Sequence, residues 1–223
     1  MNPYRTLSKL RRKRGFHPFG VGFSARFTPR GGGGSGAYVF ERETEVVVRL
    51  SRALGLPEWM PEPYGLAIRF PDAHGPDAHQ DFLLVTSALP PGGRHALLPA
   101  RGFSDLPYST LLPYRLRGKA VLIGARARAP RPGPTLGDLR RRTVGGLEFE
   151  LAIAAVTGAW KPVARIALGE RLPPEQTEHL HFDPTNTSGG LELVGLLNRL
   201  RGPAYSASQE GREEAYERYG IPH

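Results

Sequence analysis

Four short stretches of this 223-residue chain bring together side chains that can move protons and grip acids. The first is Arg14-Gly15-Phe16-His17, followed by Pro18-Phe19-Gly20-Val21-Gly22, and the second is Val47-Val48-Arg49-Leu50-Ser51. The third runs from Tyr64 to Phe70 (YGLAIRF) and leads into Asp81-Phe82-Leu83-Leu84; the fourth spaces Arg201, Tyr205 and Arg212 as Arg-x₃-Tyr-x₆-Arg. An imidazole with an ordinary pKa near ~6.5 can take and return a proton near neutral pH. Guanidinium groups pair bidentately with carboxylates in a way that lysine cannot. The chain has no cysteine, which excludes disulfides, zinc–thiolate sites, iron–sulfur clusters and thiol nucleophiles. Any metal must therefore be held by His, Tyr or carboxylate.

The elements around these stretches read as strands. Gly 28 and Pro 22 supply frequent punctuation, which suits many short strands joined by turns and argues against a helix bundle. FGVGFSARF, TEVVVRLSR, YGLAIRFP and DFLLVTSA alternate or are β-branched. HGPDAHQ carries hairpin chemistry between the last two, with His74 and His79 as solvated loop residues. AYVF reads as extended, and residues 97–118 as loop with one or two helical turns. AVLIGARARAP and GGLEFELAIAAVTG read as paired strands around a Pro/Gly hinge, and WKPVARIALGERLP as another strand. HFDPTNTSGG is a turn cluster, and from Leu191 to Tyr219 the pattern becomes helical. Seven or eight strands followed by helices predict an α+β fold, a barrel with appended helices.

The formal charge of +9 rests on 26 Arg and only four Lys (Lys9, Lys13, Lys119, Lys161). That surplus suits a polyanion or an acidic ligand equally well. The basic run LRRKR (10–14) has no interleaved aromatics and reads as a solvated arm, so no nucleic-acid partner is expected. No apolar run reaches the ~18 residues of a membrane span, and no apolar stretch follows the basic start as in a secretion signal. The expectation is a cytoplasmic protein with no membrane partner. GGGGSG (31–36) lacks the Gly-Lys-Ser/Thr ending of a phosphate loop, and no G-x-S-x-G elbow marks a serine hydrolase. His179-x-His181 with Asp183 could share a strand face, but no further metal ligand stands at a clear spacing.

Taken together and in order, the four stretches resemble the haem catalase superfamily. The likeness to that family's haem site covers about residues 14–90 and 180–212 and is carried by Arg-x-x-His, Arg-x-Ser and Arg-x₃-Tyr-x₆-Arg. It implies an antiparallel catalase-like β-barrel with C-terminal helices, a single domain over 1–223, with barrel about 15–182 and a helical haem-ligand segment about 190–219. It implies heme b as cofactor, with His17 as the histidine over the haem face and Ser51 as the serine that holds its other nitrogen. Tyr205 becomes the iron ligand, kept as phenolate by iron and the cation Arg201. Arg14, Arg49 and Arg212 correspond to the arginines on the haem propionates.

The departures from the family matter equally. Its distal asparagine is missing, with Thr86 or its neighbour Val85 in that place, Phe16 is bulkier than the family's residue, and Ala53 replaces a valine. These point to a peroxidase that uses H₂O₂ or an organic hydroperoxide to oxidise an unknown organic co-substrate, with weak or absent catalase activity. Catalytic roles fall to His17, Ser51 and Thr86. A hydroperoxide isomerase or dehydratase of the allene-oxide-synthase type, and a non-catalytic anion-binding barrel, remain alternatives. A homo-oligomer is left open.

Overall fold

The computed structural model describes residues 19–30, 38–128, 135–141 and 147–194. Its strands are β1 (Phe19–Pro29), β2 (Thr44–Arg52), β3 (Tyr64–Phe70), β4 (Gln80–Thr86), β5 (Tyr108–Ser109), β6 (Tyr114–Leu116), β7 (Lys119–Ala127), β8 (Glu148–Ala155), β9 (Lys161–Arg171) and β10 (Leu191–Leu193). Eight of them close a ring in the order β1-β2-β3-β4-β5-β7-β8-β9, because β9 pairs with β1 and β8 pairs with both β7 and β9. Every pairing is antiparallel, as the short turn-rich connections require. The remaining two, β6 and β10, form a small ribbon that leaves the barrel along β7.

Alternation along each strand fills the barrel. Phe23 and Phe27 of β1, Val48 and Leu50 of β2, and Leu66 and Ile68 of β3 point inward and are almost fully buried. One end is sealed by a chain of edge-to-face rings, Phe27–Phe70 at 5.0 Å, Phe70–Phe82 at 5.7 Å and Phe82–Tyr114 at 5.7 Å, with Phe40 stacked on Phe82. The other end holds Tyr64 against Phe103 (4.5 Å) and Tyr108 against Phe149 (6.1 Å). Tyr108 donates its hydroxyl hydrogen to the Phe103 carbonyl at 2.7 Å. Burial pushes its phenol well above the ordinary value, because the charged form would lose its hydration.

Several sequence expectations change. Tyr38–Phe40, read as extended, is a turn of 3₁₀ helix that tucks Val39 and Phe40 into the core. The expected helical turns in 97–118 are absent among the described residues; that stretch contains β5 and β6. The helical reading fails at Leu191, where β10 pairs with β6. Gly189 and Gly190, at φ +61° and +91°, turn the chain there into an extended run. The ring strands run from Phe19 to Arg171.

Two short helices were not anticipated. The first, α1 (Leu136–Arg141), opens with a reciprocal cap: Thr135 Oγ1 accepts from the Asp138 N–H, and Asp138 Oδ2 accepts from the Thr135 N–H. The Thr135 hydroxyl, which also donates to Asp138, is the main cause holding that carboxyl below its ordinary value. The second, α2 (Pro174–His179), starts on proline, whose fixed φ suits the first helical position.

Candidate functional site

The inward side chains of β1–β4 build the core, so the alternate residues build a second, outer face. Cross-strand register sets that face out in rows. Gly20, Ser51, Gly65 and Val85 stand opposite one another across the four strands, and Gly22, Arg49, Ala67 and Leu83 form the next row. A third row continues through Ser24, Val47, Arg69 and Asp81. Directly opposed residues in such a ladder lie about 5 Å apart at Cβ. The first two rows therefore make a nearly flat surface that carries one cation and one hydroxyl, Arg49 and Ser51, both buried.

Arg49 is held by what its neighbours lack. A Cβ built on Gly20 would sit 2.7 Å from the guanidinium carbon of Arg49, so the side chain lies across the glycine. A Cβ on Gly22 would meet Thr177 Oγ1 at 2.8 Å, and here α2 is seated on the strand. The two glycines thus do different work. Gly20 makes room for a charge, and Gly22 makes room for a helix.

The third row is an anchor. Asp81, fully buried, accepts from Arg69 Nε at 2.8 Å and Arg69 Nη2 at 2.6 Å. It also accepts from the Asp183 backbone N–H at 2.9 Å and from Asn186 Nδ2 at 3.0 Å. Arg69 further donates to the His181 carbonyl and lies 5.2 Å from the centre of the Phe182 ring. This pins the turn cluster 181–186, with Asp183 Oδ1 accepting from the Thr185 N–H and hydroxyl as a turn aspartate does. His179, His181 and Asp183, which spacing alone could place on one strand face, instead lie at the end of α2 and in the chain after it. His179 Nδ1 is 2.6 Å from the Glu175 carbonyl, the His181 carbonyl faces Arg69, and Asp183 is committed to its own turn.

Of the residues singled out by sequence, the structure brings Arg49 and Ser51 together on one face. Thr86 is not with them. Ser51 lines up through Gly65 with Val85, which sets Thr86 on the inner side, fully buried. Its hydroxyl donates to the Leu98 carbonyl at 2.6 Å and accepts from the Tyr64 N–H at 3.1 Å, so it closes loop contacts and is withdrawn as a catalytic residue. Val85, and not Thr86, shares the outer row with Ser51. Arg14, His17, Arg201, Tyr205 and Arg212 lie outside the described residues, as do Phe16 and most of the expected helical segment. Ser87 went unnoticed in the sequence. It extends the β4–β5 ladder by one step, on the Val85 side, with its N–H donating to the Pro107 carbonyl at 2.9 Å. Its buried Oγ has no hydrogen-bond partner among the described residues.

No protein-family model matches the sequence, and no match is found among curated proteins. Solved structures do match. The chain superposes on a bacterial catalase with a TM-score of 0.67 at 14% identity, over 95% of this chain and 61% of that one. The fold is catalase-like. Catalase A from Saccharomyces cerevisiae agrees, with a TM-score of 0.66, 13% identity, and coverage of 94% and 64% respectively. The chain thus spans less than two thirds of either catalase. Within this catalase-like barrel, the outer face of β1–β4 carries one buried guanidinium, Arg49, whose chemistry suits a carboxylate. Gly20, Gly65 and Ala67 carry little side chain, the Arg49 guanidinium lies over Gly20, and α2 covers Gly22. A buried guanidinium beside positions of small side chain is chemistry that a haem propionate could use.

Proposed function

We propose that the chain is a haem-dependent peroxidase-type oxidoreductase, taking H₂O₂ or an organic hydroperoxide and oxidising an organic co-substrate. The observation that carries this reading is the joint placement of Arg49 and Ser51 on one buried, side-chain-poor face of a catalase-like barrel. Haem bound there would supply an iron centre able to polarise a peroxide O–O bond. Arg14, Arg49 and Arg212 would hold its propionates, and Tyr205, kept ionised with the help of Arg201, would ligate the iron. His17 takes the proton from the nearer peroxide oxygen and returns it to the departing one. Ser51 would hold the other imidazole nitrogen, fixing ring orientation and tautomer.

Val85 sharpens the reading. An isopropyl group cannot orient a second peroxide as an amide does, so release of O₂ from H₂O₂ is weak or absent. The test is the visible spectrum and turnover of the purified chain. Tyr205→Phe changes the iron spectrum, and His17→Ala keeps haem but slows peroxide consumption by about 10²-fold or more. A chain that takes up no haem, or one whose spectrum and turnover ignore both substitutions, overturns the reading and favours a haem-free anion-binding barrel.

A further inference from the structure

The outer side of β4 leads to a hydroxyl left unused among the described residues. Ser87 is 1% exposed, and its Oγ has no hydrogen-bond partner there. Its buried neighbours along β4 and β5 are each committed. Thr86 bridges the Tyr64 N–H and the Leu98 carbonyl, Ser109 Oγ accepts from the Leu111 N–H at 3.2 Å, and Thr110 Oγ1 accepts from the Ile123 N–H at 3.3 Å. A buried hydroxyl left unmet destabilises the fold, and alanine at the same position avoids that penalty. Such a group marks a place where a partner arrives from outside the chain.

Position indicates what kind of partner. Leu83, Val85 and Ser87 follow one another at every second residue on the outer side, so they line one face at intervals of about 7 Å. Leu83 and Val85 are half-buried, which leaves their apolar side chains open to contact, and the strip then closes on the buried hydroxyl. To either side of Ser87 stands a proline. The β3–β4 register carried one step past Gly65–Val85 sets Pro63 opposite it, and its N–H donates to the Pro107 carbonyl at 2.9 Å. Val85 shares its row with Ser51, two strands away, so the strip adjoins the face on which the peroxidase reading rests. We propose that this strip holds the organic co-substrate, an apolar molecule with one hydrogen-bonding oxygen, such as a phenol. Its body lies on Leu83 and Val85, and its oxygen meets the Ser87 hydroxyl, which can donate or accept. The proposal rests on the peroxidase reading and deepens it. H₂O₂ has no apolar body to use the strip, so Ser87 sets co-substrate choice and leaves peroxide consumption alone.

The experiment compares wild type with Ser87→Ala, using p-cresol as the phenolic probe. In calorimetric titration of the full chain without peroxide, Ser87→Ala binds p-cresol about tenfold more weakly, the contribution of one hydrogen bond. Ser87→Thr, which keeps a hydroxyl, recovers most of that affinity. With haem bound, KM for p-cresol rises by a similar factor in Ser87→Ala while kcat holds. KM for H₂O₂ stays unchanged when ferrocyanide, an ionic donor with no apolar body, replaces the phenol. The urea midpoint of ligand-free Ser87→Ala equals or exceeds that of wild type, because the hydroxyl removed has no partner to lose. A lowered midpoint makes the hydroxyl structural and overturns the proposal. So does p-cresol affinity that Ser87→Ala leaves unchanged, or that wild type lacks. A chain that takes up no haem overturns the peroxidase reading instead, and the calorimetric titration still decides whether Ser87 holds the phenol.

Discussion

The two sides of the β1–β4 wall are made from the same four strands and could hardly differ more. Inward residues are large and apolar and interlock through rings 5–6 Å apart, as Phe27, Phe70 and Phe82 do. Outward residues further along the same strands shrink to Gly20, Gly22, Gly65 and Ala67, and the charge and hydroxyl stand among them. The difference shows how period-2 alternation divides labour. One parity specifies the fold through buried area, and the other carries the Arg69–Asp81 anchor, the seat of α2 and the Arg49–Ser51 pair.

Substitutions on the two parities should therefore fail in different ways. On the inner side, Phe82→Ala is expected to cost about 3–5 kcal/mol in urea unfolding, through lost burial and the cavity left behind. Asp81→Ala tests the anchored row between the two. Removing the carboxylate strands Arg69 and two turn donors, an expected loss of about 3–5 kcal/mol with the 181–190 turn exchanging its amide hydrogens faster. Gly20→Val belongs to the outer side. Its Cβ displaces the Arg49 guanidinium, so haem affinity should fall about 10- to 100-fold while the melting temperature moves little. If that variant unfolds instead, the outer parity is structural after all.

Tyr108→Phe probes the inner side through pH. The folded chain holds the phenolic proton more tightly than an unfolded one, so this group's contribution is complete below pH 10.0 and is lost as pH rises above it. The variant should lose about 1 kcal/mol at neutral pH, from the missing bond to the Phe103 carbonyl, yet show a shallower alkaline decline. Val85→Asn is expected to change stability least, within about 1 kcal/mol. By restoring an amide to the outer row it should raise O₂ release from H₂O₂ in an oxygen-electrode assay.

What the sequence made legible follows the same parity. Arg49 and Ser51 sit two apart on one strand, so Arg-x-Ser alone placed them on one face. Thr86 was misassigned because its parity relative to Ser51 depends on register carried across β3, Ser51 to Gly65 to Val85, and no spacing within one segment contains that. β5, β6 and β10 have two or three residues each, too few to display a period. The Asp81–Asn186 contact joins residues 105 apart, each of which has an ordinary local reading as a strand or turn residue. The Thr135–Asp138 cap was there to be read and marks a helix start that composition around the Pro/Gly hinge obscured.

Titration of the purified chain with ferric haem, followed in the visible range, asks the decisive question of the outer face. Saturation at one equivalent, with bands of oxygen-ligated ferric iron that Tyr205→Phe abolishes and Gly20→Val weakens, is the expected result. An absorbance change that never saturates, or that is indifferent to both substitutions, would mean that the flat face of β1–β4 was shaped for something other than a porphyrin.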